Sequence, residues 1–521
     1  MTHTRSWAAR TASWPFHSLL FAAYPVVFLF SQNLAEQLSL EPMAIPLLVA
    51  LAATLAVLLV LRVVLRDWQR AGVLTSLGVL LFFSYGHVWN AVGSTLGRHR
   101  YLLAVWGILL VVGALVALRL RRRAFERATP ALNVVAVILV VLNAVPVVDF
   151  QLHGVTTSAA ATAPVVSGGT DAPQRRPDIY YLIFDRYGGA ETLQRSYGLD
   201  NSPFLDELRR RGFYVADDSV ANYYTTAFSL TSSLGMEYLD LEALREEARN
   251  GSDWGPVYRI LGNREAVQEF LKERGYTYVH LGSTYSFTAR NAAADLVLGY
   301  SDRSEFSDVL LETTMLSAAS TFLGTDEGDP ARRNWLNTRY QFDRLADLAR
   351  QPGPKFVFAH FILPHPPYVF DPEGNFIDAA DRQRRGIVTG FADQVRYANR
   401  RILELLDVLQ SGPETSRPIV ILQADEGPYP LRSYTDDGFA WSNATPQELE
   451  EKFRILNAYY LPSADTSELY ASITPVNSFR VVFNAYFGTD LPLLPDRSFM
   501  FTDDAALYDE IDVTEQLQAS R

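Results

Sequence analysis

Five apolar stretches in the first 150 residues constrain this chain more than any other feature. Each is close to the roughly 20 mostly apolar residues that cross a bilayer as one helix. The first could be mistaken for a signal peptide, but it has no small-residue cleavage site and four more stretches follow, so we interpret it as a retained span. The sequence therefore predicts a transmembrane domain over 1–150, with five helices at about 14–32, 44–65, 73–94, 101–118 and 131–148.

Basic residues between these stretches predict the orientation. Arginines precede the first span, and others lie between spans two and three and between spans four and five. The loop "SQNLAEQLSLEP" after span one has no Lys or Arg. By the positive-inside rule the N-terminus is cytoplasmic, and five crossings place the rest of the chain outside. Arg98 and Arg100 are the exceptions, in a short loop on the outer side.

The remaining residues predict a linker and a large outer domain. Residues 151–176 are small and polar without periodicity, which is typical of a flexible linker. Residues 177–521 have a soluble-type composition and contain no cysteine, so this domain must be stable without disulfides; its length allows a sufficient core. The net charge of −12 gives no indication of a nucleic-acid partner.

Strand and helix patterns alternate through the outer domain. Helices are predicted near 202–211, 262–274, 339–350 and 388–410, and strands at 179–184, 276–282, 355–363 and 418–424. This alternation favours an α/β three-layer domain with a mostly parallel sheet. Ligands of such sheets bind at the carboxyl ends of the strands.

Polar residues follow several of these strands. The first strand stops at Asp185, "KFVFAHFIL" leads into His365, and "PIVILQA" leads into Asp425 and Glu426. Acids at strand ends are also common as helix caps, so each one alone is a weak signal. Because the ends of parallel strands meet at one sheet edge, the whole set predicts a site for a metal ion or a phosphate.

A hydroxyl-rich segment, "ANYYTTAFSLTSSLGM" at 221–236, contains a nucleophile candidate. Thr226 opens a helical pattern and is open to two interpretations. It is either an ordinary helix cap or a hydroxyl activated by a metal at a helix N-terminus, where the backbone amides favour an incoming anion.

These motifs, in this order, resemble the alkaline phosphatase and sulfatase superfamily. The likeness is greatest to its membrane-anchored bacterial branch, which includes lipoteichoic acid synthases and lipid A phosphoethanolamine transferases. It covers the architecture of the whole chain and the motifs from 178 to about 427, namely "PDIYYLIFD", "TTAFSL", "HFILPHPPY" and "VILQADEGP". The resemblance implies an alkaline phosphatase/sulfatase-like outer domain on a bacterial cell membrane.

The resemblance also implies roles for individual residues. Thr226 and His365 would be catalytic, and Asp185, Thr226, Asp425 and Glu426 would hold the metal. His365, Asn222 and Arg186 would contact substrate, although a turn role for Asn222 and local pairing for Arg186 are the alternatives. We interpret His360 as a packed strand residue. Glu426 stands where the family has the histidine of Asp-His-Gly, which makes the ligand set all oxygen and favours one divalent cation, Mn²⁺ or Mg²⁺, over Zn²⁺.

The function that follows from the resemblance is a metal-dependent transferase. It would move a phospho-substituted group from a membrane lipid donor to an envelope lipid or glycan through a phosphothreonine intermediate. A phosphoester hydrolase of the same superfamily and a non-catalytic envelope protein are the alternatives. Formylglycine sulfatase chemistry is not favoured, since the chain has no cysteine and "SLTSSLGM" has neither the proline nor the arginine of the modified segment.

Overall fold

The computed structural model describes residues 14–34, 40–96, 98–153, 176–263, 265–300, 304–318 and 329–519. The chain forms two compact units, one of residues 1–156 with 303–330 and the other of 157–302 with 331–521. Most of the predicted linker, 154–175, lies outside the described residues, and 151–153 belong to the preceding helix.

The helical unit contains the predicted spans. Four of its apolar helices are long and apolar enough to cross a membrane, and a shorter apolar helix precedes them. Each predicted span coincides with one of these helices: His17–Gln32, Glu41–Leu65, Trp68–Leu96, His99–Arg119 and Arg122–His153. A further helix, Glu305–Thr313, belongs to this unit, although its residues lie within the range predicted for the outer domain.

The second unit is built on a seven-stranded sheet in the order β2-β7-β6-β1-β5-β3-β4. Strands β6, β1, β5, β3 and β4 are parallel, whereas β7 is antiparallel to both of its neighbours. The strands are β1 Ile179–Phe184, β2 Tyr214–Val215, β3 Thr277–Leu281, β4 Leu296–Leu298, β5 Lys355–Phe361, β6 Ile419–Gln423 and β7 Asn457–Tyr460, with a separate pair β8 Phe499–Met500 and β9 Ile511–Asp512.

Helices cover both faces of this sheet. Successive side chains of β1 point to opposite faces; Tyr181 contacts Phe479 of one helix, and Phe184 contacts Phe342 of another. The predicted three-layer α/β architecture with a mostly parallel sheet is therefore confirmed. The α-helices of this unit are Ala190–Tyr197, Ser202–Arg210, Thr226–Gly235, Leu241–Glu247, Gly255–Leu261, Ala266–Glu273, Ser286–Ala289, Pro330–Leu348, Ala379–Leu409, Pro446–Phe453, Ser478–Phe487 and Thr514–Ala519.

The three central strands are buried along their whole length. Every residue of β1, β5 and β6 is buried, in keeping with their continuous apolar composition. A polar side chain at the end of such a strand is therefore held by rigid neighbours and shielded from water, which is the environment in which charged groups act most strongly on one another.

Candidate metal centre and active site

Strand register brings Asp185 and Asp425 to the same level of the sheet. In the β1–β6 pair, Ile183 is aligned with Gln423. Asp185 and Asp425 each lie two residues further along, so both carboxylates are on the face of the sheet that Ile183 occupies. This arrangement agrees with the expectation that the two strand-end acids approach one another.

His360 of β5 lies beside them, on the same face. It is aligned with Ile183 across the β1–β5 pair, and Ile183 lies two residues before Asp185. Its Nε2 lies 3.8 Å from Asp185 Oδ2 and 3.6 Å from Asp425 Oδ2. One ligand atom from each of these three buried residues lies within 4.8 Å of the other two, a spacing that suits three ligands of one ion.

Each side chain of this cluster has a buried polar atom without a hydrogen bond in the described part of the chain. Asp185 Oδ1, His360 Nε2 and Asp425 Oδ2 are all buried without a hydrogen bond. Leaving one buried polar atom unsatisfied costs about 1–3 kcal/mol. Three side chains that converge within 4.8 Å and each carry such an atom are the property expected of a site that binds a cation, and the residues fit a divalent metal ion.

Contacts behind His360 fix its orientation. Its Nδ1 is 2.8 Å from the hydroxyl of Thr288, and that hydroxyl lies 2.7 Å from Ser283 Oγ. A hydrogen bond on one ring nitrogen sets which nitrogen is available to a metal. The Thr288 contact therefore leaves Nε2 directed at the two carboxylates.

Thr226 lies at the N-terminus of the helix that abuts Asp425. The helix Thr226–Gly235 is tied to this strand end because Ser229 Oγ donates to the Asp425 carbonyl over 2.6 Å. The Thr226 hydroxyl also interacts with the Asp425 carboxylate. The neighbouring Thr225 Oγ1 is buried without a partner among the described residues. This end of the helix thus presents two hydroxyls and its free amides beside the three-residue cluster.

The two carboxylates differ in their electrostatic environment. Burial, together with the negative charges of Asp425 and Glu426, raises the pKa of Asp185 well above its usual value. Burial also acts to raise the pKa of Asp425, but the interactions with His360 and Thr226 outweigh it and the pKa is lowered. A bound cation would relieve the repulsion between the two acids.

Glu426 is engaged elsewhere. Its Oε1 accepts from Arg186 Nε at 3.0 Å and lies 2.7 Å from Lys452 Nζ. The carboxylate is thus shared by two cations, and it is not one of the three residues whose ligand atoms converge. The structure pairs the predicted metal ligand Glu426 with the predicted substrate residue Arg186.

Arg186, Lys452 and Tyr429 complete a cationic cluster around that carboxylate. The Arg186 guanidinium carbon lies 4.1 Å from the centre of the Tyr429 ring, and Lys452 Nζ lies 4.0 Å from it. Lys452 is fully buried, and burial lowers its pKa to about 8 although Glu426 acts in the opposite direction. Two cations thus face one carboxylate here, and the charges of the neighbouring Asp185 and Asp425 would be offset by a bound cation, which would leave the site open to an anionic ligand.

His365 follows β5 and is electrostatically linked to this cluster. Burial and the positive charge of Arg186 lower the pKa of His365 well below its usual value. Its Nδ1 is in close contact with the Pro366 carbonyl. A neutral imidazole in this place can donate one hydrogen bond or accept a proton, but it supplies no positive charge at neutral pH.

Asn222 lies in a different network. Its amide donates to the Arg497 carbonyl over 2.8 Å and to Tyr238 over 3.3 Å, and its oxygen accepts from Val476 N over 2.8 Å. These bonds occupy its donors and its acceptor with protein groups, which favours the alternative interpretation of Asn222 as a residue that fixes a turn.

Two residues of the site were missed from the sequence. His360 was interpreted as a packing residue because it lies inside an apolar strand, and only the strand register shows that it faces Asp185. Lys452 was assigned no role because it lies within the charged run "ELEEKF", which is typical of a solvated helix. Its complete burial at the end of the helix Pro446–Phe453 is a tertiary effect.

No family model and no curated protein matches the chain. Among solved structures, it is similar to the C-terminal periplasmic domain of EcEptC from Escherichia coli. The identity is 12%, 67% of this chain and 96% of that chain are covered, and the TM-score is 0.44.

Two further structures come from the groups that the motifs resemble. The integral membrane protein lipooligosaccharide phosphoethanolamine transferase A from Neisseria meningitidis is 13% identical, covering 74% of this chain and 69% of that one, with a TM-score of 0.40. A protein of the alkaline phosphatase superfamily from Vibrio parahaemolyticus is 15% identical, covering 68% and 80%, with a TM-score of 0.39. At such low identities and scores, function has to be argued from the side chains themselves.

Proposed function

We propose that this chain is a membrane-bound, metal-dependent enzyme of phosphoester chemistry, with Thr226 as its nucleophile. The observation that carries the proposal is the convergence of the buried side chains of Asp185, His360 and Asp425 beside the Thr226 hydroxyl, each of the three with a polar atom that has no hydrogen bond among the described residues. A threonine is a weak nucleophile unless a nearby group stabilises its deprotonated oxygen, and a bound divalent cation would lower the pKa of this hydroxyl and polarise a phosphoryl oxygen.

The chain's own groups then perform two displacements. The Thr226 oxygen forms a bond to phosphorus while the bond from phosphorus to the donor's alcohol oxygen breaks. Thr226 loses its proton and the departing alcohol gains one. In the second step an acceptor hydroxyl attacks the phosphothreonine, loses its proton and releases Thr226. Covalent catalysis of this kind divides one difficult transfer into two easier ones.

Arg186 and Lys452 are suited to the charge on the phosphoryl oxygens. Both are held in place by Glu426 and Tyr429, so little side-chain ordering remains when the substrate binds. The free amides at the start of the helix Thr226–Gly235 add a second source of positive potential. His365, as a neutral imidazole, would donate a hydrogen bond to an oxygen or assist a proton transfer.

One divalent cation fits the cluster. The sequence favoured Mn²⁺ or Mg²⁺ because the expected ligands were all oxygen, but His360 supplies a nitrogen. Two carboxylates, one imidazole and one hydroxyl suit Mn²⁺ or Zn²⁺, whereas Mg²⁺ is usually bound by oxygen alone. Glu426 is outside this set, so its presence in place of a histidine does not remove the site.

We propose transfer from a membrane lipid donor to an envelope lipid or glycan, with the α/β unit on the outer face of a bacterial cell membrane. A lipid donor is confined to the surface to which the apolar helices would tether this unit, and confinement raises their effective concentration for one another. A hydrolase differs only in using water as the acceptor. A non-catalytic protein would not explain why the ligand atoms converge beside the Thr226 hydroxyl.

Trapping of the covalent intermediate tests the proposal. The purified full chain, loaded with Mn²⁺ or Zn²⁺, is mixed with a phospholipid carrying ³²P in its headgroup phosphate and quenched in acid. We expect label on the peptide that contains Thr226, and loss of that label in Thr226→Ala. The matched control is Thr231→Ala, the same change at a buried position of the same helix.

The outcomes separate the candidate functions. Label that persists in Thr226→Ala would remove Thr226 as the nucleophile, and absence of label from every peptide, with the cation bound, would favour a non-catalytic protein. Free labelled phosphoalcohol after longer incubation indicates hydrolysis, while label in an added envelope glycolipid indicates transfer.

A further inference from the structure

Residues 304–318 lie far along the chain from the apolar helices yet pack among them. They follow β4, whose last residue is Leu298, and they precede the helix that begins at Pro330. Phe306 and Leu310 nevertheless belong to a buried cluster with Val26, Phe30 and Val147 of the helical unit. The chain therefore enters this unit a second time, in the middle of the sequence range that was predicted to be outside.

Specific contacts define this packing. The Phe306 and Phe30 rings meet edge to face with their centres 5.5 Å apart. Met315 N donates to the Phe82 carbonyl over 3.0 Å. The backbone at Glu312 comes so close to Gly86 that a Cβ there would lie 1.9 Å from the Glu312 oxygen. Glycine at 86 is thus required for the approach of the two segments.

Most of these contacts are at the same end of the helices. Phe30, Gly86 and Val147 lie in the C-terminal halves of the first, third and fifth helices, and Met43 and Leu102 lie near the N-terminal ends of the second and fourth. The Phe82 carbonyl, which accepts from Met315, lies at the middle of the third helix. The arginines that predict the cytoplasmic side are at the opposite ends: Arg62, Arg66, Arg70, Arg119, Arg121, Arg122 and Arg123.

Residues 304–318 also leave apolar side chains uncovered. Val309 is 40% exposed and Leu316 is 47% exposed, while Phe306 and Leu310 beside them are buried against the helices. Apolar side chains at the end of a membrane-spanning bundle are covered by the boundary between headgroups and acyl chains, where amphipathic helices lie.

We propose that residues 304–318 form a membrane-interface element that packs on the extracytoplasmic ends of the apolar helices and contacts the outer leaflet through Val309 and Leu316. The chain then connects the two units before and after this element as well as at residues 156–157. The sequence had predicted a single connection, through the linker. The inference does not depend on catalysis.

The absence of cysteine from the chain allows a direct test of the packing. In the full-length protein in proteoliposomes, Phe30→Cys/Phe306→Cys is treated with a short bis-maleimide and digested, and the linked peptides are identified by mass spectrometry. A disulfide would need Cβ atoms about 3.5–4.5 Å apart, whereas the spacer of the reagent bridges the gap that the two removed rings leave. A second test pair is Phe82→Cys/Met315→Cys, and we expect the linked peptide in at least one of the two pairs. The matched control Phe30→Cys/Val309→Cys should lose most of it. Absence of linkage in both pairs, or equal linkage in the control, would overturn the packing.

Fluorescence quenching tests the contact with lipid. An environment-sensitive label is placed on Val309→Cys and, for calibration, on Val111→Cys, which is 58% exposed near the middle of its helix. Nitroxide lipids labelled near the headgroup should quench the label at position 309 more than lipids labelled deep in the acyl chain, with the reverse order at position 111. Quenching at position 309 by aqueous iodide but by neither lipid would overturn the proposed interface.

Discussion

His360 Nε2 and Asp425 Oδ2 lie 3.6 Å apart, both buried and neither with a hydrogen-bond partner in the described part of the chain. The distance is too long for a hydrogen bond and too short for the two atoms to be independent. Two polar atoms held in this way are expected where both bind a third partner.

Thr288→Val should weaken cation binding although it changes none of the residues proposed to bind the cation. The substitution removes the hydroxyl that orients His360, and partners behind a ligating histidine typically contribute 10- to 100-fold in metal affinity, so we expect a loss of roughly that size. Equilibrium dialysis with Mn²⁺ and with Zn²⁺ measures it. Thr288→Ser keeps the hydroxyl and should bind nearly as the unmodified protein does; equal affinities in both variants would contradict the assignment of His360.

The positions of Asp185 and Asp425 could be predicted from the sequence because both follow continuous apolar runs, and ends of parallel strands share one edge. The main strands near 179, 277, 355 and 419 were predicted for the same reason, and helices near 202–211, 262–274, 339–350 and 388–410 were predicted from their helical pattern. Short strands such as β2 and β7 were not predicted, since their pairing depends on neighbours distant in sequence.

His360 and Lys452 could not be assigned from the sequence, because their roles depend on register and burial. His365 was preferred to His360 because it follows the strand end, yet the alternation of side chains along β5 places His360, the penultimate residue of that strand, on the face that carries Asp185. A shift of one residue in register would have directed it to the opposite face.

Glu426→Gln should lower stability and leave cation binding largely intact. The substitution removes the negative charge between Arg186 and Lys452, and breaking a buried charge pair from one side typically costs about 3–5 kcal/mol. Denaturant unfolding measures the loss, and dialysis measures the cation. Asp425→Asn is the comparison that should lose the cation. Loss of the cation in Glu426→Gln with unchanged stability would instead make Glu426 a ligand, as the sequence suggested.

Lys452→Met should weaken the binding of a phosphate mimic. Methionine keeps much of the buried stem but removes the ammonium, and one charge-assisted hydrogen bond contributes about 1.5–3 kcal/mol, which corresponds to a loss of at least tenfold in vanadate affinity. Isothermal titration of the cation-loaded protein with vanadate measures it. Lys272→Met, at a partly exposed lysine paired with Asp295, is the matched control. Vanadate affinity that is unchanged by Lys452→Met would remove Lys452 from the anion site.

Asn222→Ala should destabilise the α/β unit without altering either ligand. The amide joins the segment before the helix Thr226–Gly235 to the backbone at Val476 and Arg497, and its removal leaves the buried Val476 amide unsatisfied and breaks the bond to the partly buried Arg497 carbonyl. One buried unsatisfied group costs about 1–3 kcal/mol, so the free energy of unfolding should fall by at least that amount. Chemical unfolding monitored by tryptophan fluorescence measures the change, with cation and vanadate affinities determined well below the unfolding midpoint. A selective loss of vanadate affinity with little change in stability would restore the predicted substrate-binding role of Asn222, because a residue that only fixes the backbone acts on stability first.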